Sequence, residues 1–222
     1  QYRSLLRQRN KYLKQLKYRQ QHDRVLLDVL SDQLAAYGAE LVVARFHFLQ
    51  QLEKWAADLH YQISLNAEKL RLVYATQLKV TSETTVDDAY QQLLTIFKEN
   101  KAREIDQGST MFGPQRDDIR FLVNGKNVQS FGSQGQQRTT ALAVKLAEID
   151  LMKEQTGEYP LLLLDDVLSE LDTVRQTHLL TAIQDKVQTF LTTTSLSDVA
   201  RQLINEPTIF NIKNGTLIKE EE

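Results

Sequence analysis

The sequence predicts an α/β protein with two segments, an α-helical arm over residues 1–105 and an α/β domain over residues 106–222. The first segment contains no proline and a single glycine, whereas all three prolines and the remaining glycines follow it. In the second segment, short apolar runs typical of strands alternate with helical patterns, which is the order expected of an α/β domain. One of these runs is a row of four leucines, residues 161–164, that ends in two aspartates.

Composition excludes several classes of protein. The chain has 222 residues, of which 41% are hydrophobic and 25% are charged, and its formal net charge is -2. A contact with nucleic acid must therefore come from a local basic patch and not from the total charge. The absence of cysteine excludes a disulfide scaffold and a thiolate metal site. No apolar run approaches the roughly 20 residues of a membrane helix, and we expect a cytoplasmic protein without a membrane partner.

The first helix, predicted over residues 2–21, is strongly basic. A buried stripe is predicted from four leucines at helical spacing, Leu5, Leu6, Leu13 and Leu16. The cations are Arg3, Arg7, Arg9, Lys11, Lys14, Lys17 and Arg19. They could contact DNA phosphates, with Arg7, Lys11 and Lys14 as the candidates. The spacing favours a solvated structural helix, because the charges surround the apolar stripe instead of forming one patch.

The rest of the arm shows no catalytic pattern. We expect a long helical region over residues 24–65, with a bend or a junction at Gly38, and a strand over residues 70–75. Residues 82–85 offer caps for a last helix over residues 86–107. The histidines are scattered, so we expect His22, His47 and His60 to be packed or on the surface and not to be ligands.

The second segment opens with two predicted strands, residues 109–112 and 119–123, and the pair Asn124-Gly125 predicts a hairpin after the second. Between the strands lies the sequence Gly-Pro-Gln-Arg-Asp-Asp, residues 113–118. Its charges fit a solvated turn, and they also fit a polar cluster that faces a site.

A helix that runs to about residue 155 begins in the sequence Phe-Gly-Ser-Gln-Gly-Gln-Gln-Arg, residues 131–138. Ser133 and Gln136 fit a capping box. These residues make an anion site at the positive end of a helix dipole. They provide a serine hydroxyl, a glycine that permits close approach of the backbone, and free N–H groups. The same residues also fit a well-capped helix without a ligand.

The leucine run after Pro160 predicts a strand buried on both faces, as in the middle of a parallel sheet. Asp165 and Asp166 stand at its C-terminal end, where open α/β sheets bind ligands. Two adjacent acids ionise together only at a cost unless a cation or hydrogen-bond donors compensate. A Mg²⁺ ion at Asp165 would do so, and Asp166 could then accept a proton from water. A plain strand followed by an acidic turn is the alternative.

The segment after the acids, Ser-Glu-Leu-Asp at residues 169–172, leads into another predicted helix that reaches about residue 186. Asp172 can cap this helix. A further strand is predicted over residues 189–191, and a row of hydroxyl residues, 192–195, follows it. Hydroxyls at a strand end indicate a polar site.

Together these motifs resemble the C-terminal half of an ABC-type ATPase head. In that pattern the serine-glycine-glutamine turn is the signature motif, the leucine run with its acids is the Walker B strand, and residues 169–172 are the D-loop. The chain closely resembles the RecF family of bacterial recombination and gap-repair proteins. The resemblance lies in the sequences GPQRDD, FGSQGQQRT, PLLLLDDVLSELD and QTFLTTT, and in LLRQRNKYLK near the start. The resemblance covers essentially the whole chain. One departure is Gln115, where the family usually has histidine.

The resemblance implies an ATP-dependent dimer that binds double-stranded or gap-junction DNA and helps to load recombinase at gaps together with RecR and RecO. It implies that the signature residues reach the γ-phosphate of ATP held by the opposite subunit. These residues are Ser133, Gly135, Gln136 and Arg138.

The resemblance also assigns roles to the second group of polar residues. Asp165 would hold Mg²⁺, mostly through water, and Asp166 would orient or deprotonate the attacking water. The D-loop residues Ser169 and Asp172 would couple the two sites of the dimer. The family pattern often has a switch histidine, and here either of two threonines would take its place, Thr193 or Thr194.

The P-loop pattern G-x-x-x-x-G-K-[ST] does not occur in the sequence. The Gly-Lys pair at residues 125–126 lacks the earlier glycine and the following hydroxyl. We therefore expect the P-loop to lie upstream of Gln1 in a longer protein, and we expect this chain alone not to hold ATP tightly. The competing hypothesis is a non-catalytic module for DNA or partner interaction whose ATPase motifs are relics. A gene that begins at Gln1 would favour that hypothesis.

Overall fold

The computed structural model describes residues 1–19, 23–184, 186–194, 204 and 207–219. The chain forms two compact units, each built from two stretches of sequence. The first unit comprises residues 1–54 and 69–140, and the second comprises residues 55–68 and 141–222. The division into residues 1–105 and 106–222, which rests on composition, stays a prediction. His22 and Ser195 lie outside the described residues.

Most of the first unit is helical, with α1 (Tyr2–Lys17), α2 (Val25–Ile63), α3 (Val86–Glu99) and α4 (Lys101–Gln107). The residues of α2 from Trp55 onward count with the second unit. Helix α2 continues through Gly38, so the predicted junction is wrong. A Cβ atom at this position would lie 3.0 Å from Leu93 Cδ1, and the glycine therefore allows α2 and α3 to pack closely. The last predicted helix is divided at Asn100, which ends α3 and precedes α4. Thr85 caps α3 in a capping box with Asp88, as the sequence predicts for this region.

A buried ion pair that no sequence pattern predicts holds α1 and α4 together. Arg9 Nη2 lies 2.6 Å from Glu104 Oε2, and the two side chains are 1% and 0% exposed. Arg9 also donates through Nε to Ser31 Oγ at 2.9 Å and through Nη1 to Thr110 Oγ1 at 2.7 Å. Apolar residues of α1 and α2 form a buried cluster in the same unit, including Tyr12, Leu13, Leu27 and Leu30.

Residues 109–112 do not form the predicted strand. Their backbone donors go to side chains instead of a neighbouring strand: Thr110 N donates to Asn10 Oδ1 and Met111 N to Glu104 Oε1, both at 2.7 Å. Phe112 packs against an apolar cluster formed mainly by α2 and α3, so the apolar side chain of this segment belongs to a helical core and not to a sheet.

The sheet of the first unit is antiparallel, with the order β1 (Leu70–Ala75), β2 (Asp118–Val123) and β3 (Lys126–Asn127). The predicted hairpin joins β2 and β3 through Asn124 and Gly125, whose φ angles are 49° and 79°. Two positive φ angles are the requirement of a type I′ turn, and Asn-Gly is its preferred sequence. A short helix, α5 (Val128–Phe131), then precedes α6 (Gln134–Thr156), whose residues from Ala141 onward count with the second unit.

The second unit contains a parallel pair, β4 (Leu162–Asp165) and β5 (Thr189–Thr192), with a 3₁₀ turn over Val167–Glu170 and helix α7 (Thr173–Ile183) between them. Its core is aliphatic and consists mainly of residues from α6, β4, the 3₁₀ turn and α7, among them Leu146, Leu164, Leu168, Leu179 and Ile183. The burial of β4 on both faces is not observed, because Leu164 is 8% exposed and Leu163 is 73% exposed.

A second hairpin, β6 (Phe210–Lys213) and β7 (Thr216–Lys219), is antiparallel and was not predicted. Its turn is also Asn-Gly, Asn214 and Gly215, with φ angles of 50° and 75°. The signal that identified the first hairpin was therefore present here too. None of the helices within the described ranges combines the length and the apolar character that crossing a membrane requires.

Candidate nucleotide site

The start of α6 has the geometry that the sequence predicts. Ser133 Oγ accepts a hydrogen bond from Gln136 N at 3.2 Å, and Gln136 Oε1 accepts one from Ser133 N at 3.0 Å. This reciprocal pair is a capping box. It leaves the N–H groups of Gln134 and Gly135 without an intrahelical acceptor, since the first turn of any α-helix lacks one.

The turn before α6 requires glycine at position 132. A Cβ atom at Gly132 would lie 2.6 Å from Val128 O and 2.9 Å from Val128 Cγ1. Ser133 and Arg138 are exposed, whereas Gly135 and Gln136 are half-buried. The first turn contains no acidic side chain. The helix end is therefore open to solvent, positive and free of a competing internal anion, which suits an anionic ligand.

The paired acids lie together at the C-terminal ends of β4 and β5. Thr192 Oγ1 donates to Asp165 Oδ1 at 2.6 Å and accepts from Asp166 N at 3.0 Å. The parallel register places Asp165 opposite Thr192, so one hydroxyl connects both acidic residues. The resemblance predicts Thr193 or Thr194 at the switch position and assigns no role to Thr192. The register of two adjacent parallel strands was the signal that could have identified it.

Asp166 lies just beyond β4 with a φ angle of 51°, a left-handed conformation that is uncommon for residues other than glycine. Its carbonyl accepts a hydrogen bond from Ser169 Oγ at 2.8 Å. The side chains of Asp165 and Asp166 are both exposed. The backbone turns sharply at Asp166. Ser169 holds the carbonyl of Asp166, and Thr192 holds its backbone N–H.

The predicted cap of α7 is present. Asp172 Oδ1 accepts from Arg175 N at 2.9 Å, while Oδ2 accepts from Arg175 Nη1 at 2.6 Å. Asp172 is 54% exposed in this pair, so the ion pair itself contributes little to stability. Thr193 is half-buried and Thr194 is exposed, and both directly follow β5.

The described residues fit a water-mediated magnesium site and not a dedicated metal cage. Within the described ranges there is no group of three or more His, Cys, Asp or Glu side chains that could hold a metal ion. Mg²⁺ commonly uses one or two carboxylates together with water and substrate phosphates. Asp165 supplies one such carboxylate, with one of its oxygens already bonded to Thr192.

The sequence at residues 113–118 forms a polar cluster inside the first unit. Tyr74 OH donates to Asp117 Oδ2 at 2.6 Å, and Tyr2 OH donates to Gln115 Oε1. Arg45 Nη1 donates to Pro114 O at 2.6 Å. Burial raises the pKa of the Asp117 carboxyl and that of the Tyr74 hydroxyl. Between the two alternatives, the contacts favour the polar cluster over the solvated turn.

The described part of α1 places its three candidate DNA residues, Arg7, Lys11 and Lys14, on the surface. His60 is buried in the second unit, with Nε2 3.8 Å from Glu68 Oε2, and burial lowers its pKa. This is the packed histidine that the sequence predicts.

An α/β fold with a capped serine-glycine-glutamine helix start and an acid-ended parallel strand defines the C-terminal half of an ABC-type ATPase head, here with an α-helical arm. No protein-family model matches the chain. The chain is 79% identical over 221 residues to the DNA replication and repair protein RecF of Limosilactobacillus reuteri (strain DSM 20016), and 68% identical over 216 residues to that of Limosilactobacillus fermentum (strain NBRC 3956 / LMG 18251). These matches cover 100% and 97% of this chain.

Solved structures agree with this result. One described as the recombination mediator protein RecF-ATP in the RecFOR pathway superposes with a TM-score of 0.84 at 33% identity, and covers 100% of this chain and 57% of that one. A second, RecF-ATPrS, has a TM-score of 0.81, again at 33% identity, over 99% of this chain and 57% of its own. The chain belongs to the RecF family. It spans 59% and 58% of the length of the two curated relatives named above.

Proposed function

We propose that this chain supplies the signature and Walker B half of an ATP-dependent DNA-binding protein of recombinational gap repair. ATP drives dimerisation, and hydrolysis resets DNA binding. The observation that carries the proposal is the exposed, capped start of α6, which offers a serine hydroxyl and free N–H groups to an anion. The names of the relatives, DNA replication and repair proteins and a recombination mediator of the RecFOR pathway, support this function and RecR and RecO as partners.

In the proposed dimer, the signature residues bind the γ-phosphate of ATP held by the opposite subunit. Ser133 donates its hydroxyl, and Gly135 presents its backbone N–H to a phosphate oxygen. Gln136 keeps the serine in place through the capping box. Arg138 lies one turn further along the exposed start of α6 and adds positive charge. Each contact stabilises charge on the transferred phosphoryl group, which is the main requirement of this chemistry.

The acids at the ends of β4 and β5 act on ATP bound to their own subunit. Mg²⁺, when bound, would neutralise charge on the β- and γ-phosphates, and Asp165 would hold it mostly through water. Asp166 orients or deprotonates the attacking water. Thr192 fixes the Asp165 carboxylate through its hydroxyl, so that the carboxylate is preorganised. Thr193 or Thr194 occupies the switch position beside them.

The D-loop couples the two sites of the dimer. Ser169 is bonded to the backbone of Asp166, and Asp172 begins α7, so a shift at the dimer interface reaches the acid turn over a few residues. This coupling provides a route from contact between subunits to the hydrolytic residues.

The test uses the whole gene product, meaning the protein that its gene encodes, with any sequence that precedes Gln1. Ser133→Arg places a bulky cation where the opposite γ-phosphate docks, and we expect loss of ATP-dependent dimerisation with ATP binding retained. Thr181→Arg, a matched change at an exposed helical hydroxyl on α7, should dimerise normally. Size-exclusion chromatography with light scattering measures dimerisation, and a fluorescent ATP analogue measures binding. Loss of ATP binding in Ser133→Arg would contradict a role in trans.

A second variant tests the hydrolytic residues. Asp166→Asn should retain ATP-dependent dimerisation and lose most ATP turnover, because an amide does not accept a proton from water. Normal turnover in this variant would contradict the role of Asp166. A whole gene product that neither binds ATP nor dimerises with it would support the alternative of a non-catalytic interaction module.

A further inference from the structure

Five of the seven cations near the start of the chain lie on one face of α1. Arg3, Arg7, Lys11, Lys14 and Lys17 are all exposed. At 3.6 residues per turn they fall within about 120° of the helix circumference. We call these five residues the basic face. The expectation that the charges surround the apolar stripe is wrong, because Arg9 is buried against Glu104 and Arg19 lies beyond the end of the helix.

In the part of the chain that the structure describes, no acidic side chain pairs with the basic face. Helix α1 contains no acidic residue. A row of unpaired cations on a rigid element gives a local positive potential, although the chain as a whole carries a formal net charge of -2.

The helix that carries the basic face is held firmly in the first unit. Arg9 fixes its centre through the buried pair with Glu104. Near its end, the buried Gly108 makes room for two lysine stems: a Cβ atom at that position would lie 3.2 Å from Lys17 Cδ and 3.5 Å from Lys14 Cγ. Packed stems with solvated amines lose less freedom on binding than lysines that project freely.

We infer that the basic face binds the phosphate backbone of double-stranded DNA. This inference rests on the proposed function and assigns one DNA contact of that protein to α1. From Arg3 to Lys17 the face is about 21 Å long, since each residue adds about 1.5 Å. That length matches about six phosphates of one strand, which are spaced about 3.4 Å apart along the duplex axis. Lysine and arginine are the common donors to such phosphates.

The composition of the surface favours DNA over an acidic protein. Every exposed residue of α1 is polar, and those outside the basic face are Ser4 and Gln8. Protein interfaces depend on buried aromatic or aliphatic anchors at their centre, and the exposed side of α1 offers none. A uniformly polar and cationic surface suits a sequence-independent phosphate contact.

The experiment measures duplex affinity of the whole gene product against salt. A triple variant, Arg7→Gln, Lys11→Gln and Lys14→Gln, removes three charges and keeps good helix formers at exposed positions. Each phosphate contact contributes about 0.9 to the slope of log K against log salt concentration, so we expect the slope to become shallower by about 2 to 3. Fluorescence anisotropy with a short labelled DNA duplex gives the slope, and circular dichroism checks the fold.

The matched control removes the same charge from the same unit. Lys79→Gln, Lys98→Gln and Lys126→Gln change three exposed lysines outside α1, and the slope should stay near that of the unaltered protein. An unchanged slope in the α1 variant, or an equal change in the control, would overturn the inference. A polyglutamate peptide whose affinity falls in the α1 variant while the duplex affinity stays unchanged would also overturn it, since the basic face would then bind an acidic protein and not DNA.

The outcome is distinguishable from failure of the proposed function. If the α1 variant dimerises with ATP and keeps the original salt slope, the proposed function stands and only the basic face is excluded. If the unaltered protein binds no duplex at any salt concentration, the DNA-binding part of the proposed function fails as well.

Discussion

Replacing Glu104 with glutamine is expected to destabilise the first unit by about 3–5 kcal/mol, the usual cost of removing one partner of a buried ion pair. The Glu104 side chain is fully buried, and its two oxygens accept hydrogen bonds from Arg9 Nη2 at 2.6 Å and Met111 N at 2.7 Å. Glutamine can keep one of these bonds through its carbonyl. Its amide then faces the other donor, and the Arg9 charge is left without a counterion.

The assay is urea unfolding followed by far-ultraviolet circular dichroism, since the first unit is largely helical. With a urea dependence of about 2 kcal/mol per M, a loss of about 4 kcal/mol lowers the midpoint by about 2 M. Glu40→Gln is the matched control, because Glu40 is exposed on α2, and its midpoint should hardly change. A double variant, Arg9→Met with Glu104→Gln, should be less destabilised than the sum of its parts, because the uncompensated charge is gone.

The result that would refute this reasoning is a loss below about 1 kcal/mol for Glu104→Gln, similar to that of the exposed control. It would mean that water or a rearranged partner compensates Arg9 in the variant. In the variant, Arg9 keeps its hydrogen bonds to Ser31 and Thr110 and its position 4.6 Å from the centre of the Phe97 ring. These retained contacts favour a loss of unfolding free energy near the low end of the expected range.

Three further predictions concern single residues. Thr192→Val removes the hydroxyl that holds Asp165. ATP turnover of the whole gene product should fall about tenfold with ATP binding retained, since a hydrogen bond to a charged group contributes about 1.5–3 kcal/mol. Unchanged turnover would exclude this role. Burial lowers the pKa of His60 below 6.5, so the stability from its neutral form is present above that value and is lost as the pH falls below it. His60→Phe should therefore show a smaller decrease in unfolding free energy between about pH 7 and pH 5, and an equal decrease would contradict the assignment. Gly132→Ala should cost about 1–3 kcal/mol because its Cβ would overlap Val128 O, and amide exchange in the first turn of α6 should become faster; protection equal to that of the unaltered protein would count against a steric role.

The parts of the site that could be predicted from sequence are those made by local bonds. The capping box of Ser133 and Gln136 and the cap at Asp172 each join a side chain to a backbone group three residues away. Such bonds depend on residue type and spacing, which a sequence displays directly. The Asn124-Gly125 hairpin belongs to the same class, since its backbone angles are set by the two residues themselves.

The contacts that could not be predicted join residues that are distant along the chain. Arg9 and Glu104 are 95 positions apart, and either charge alone would be assigned to a solvated surface. The strand predicted over residues 109–112 failed for the same reason, since its backbone donors go to Asn10 and Glu104. Thr192 is an intermediate case, because a parallel register between the two predicted strands places it beside Asp165 across 27 positions.

Changes on the buried side and on the exposed side of α1 should affect DNA binding differently. Glu104→Gln weakens the attachment of the helix but leaves every charge of the basic face in place. Under conditions where this variant is folded, we expect a somewhat lower duplex affinity with an unchanged salt slope, because the slope counts neutralised phosphates and not the rigidity of the helix. Neutralising Arg7, Lys11 and Lys14 should instead lower the slope and leave the urea midpoint nearly unchanged. If the Glu104 variant changed the slope as much as the triple variant does, then the basic face would not make a fixed number of phosphate contacts, and the buried pair would be part of the DNA site itself.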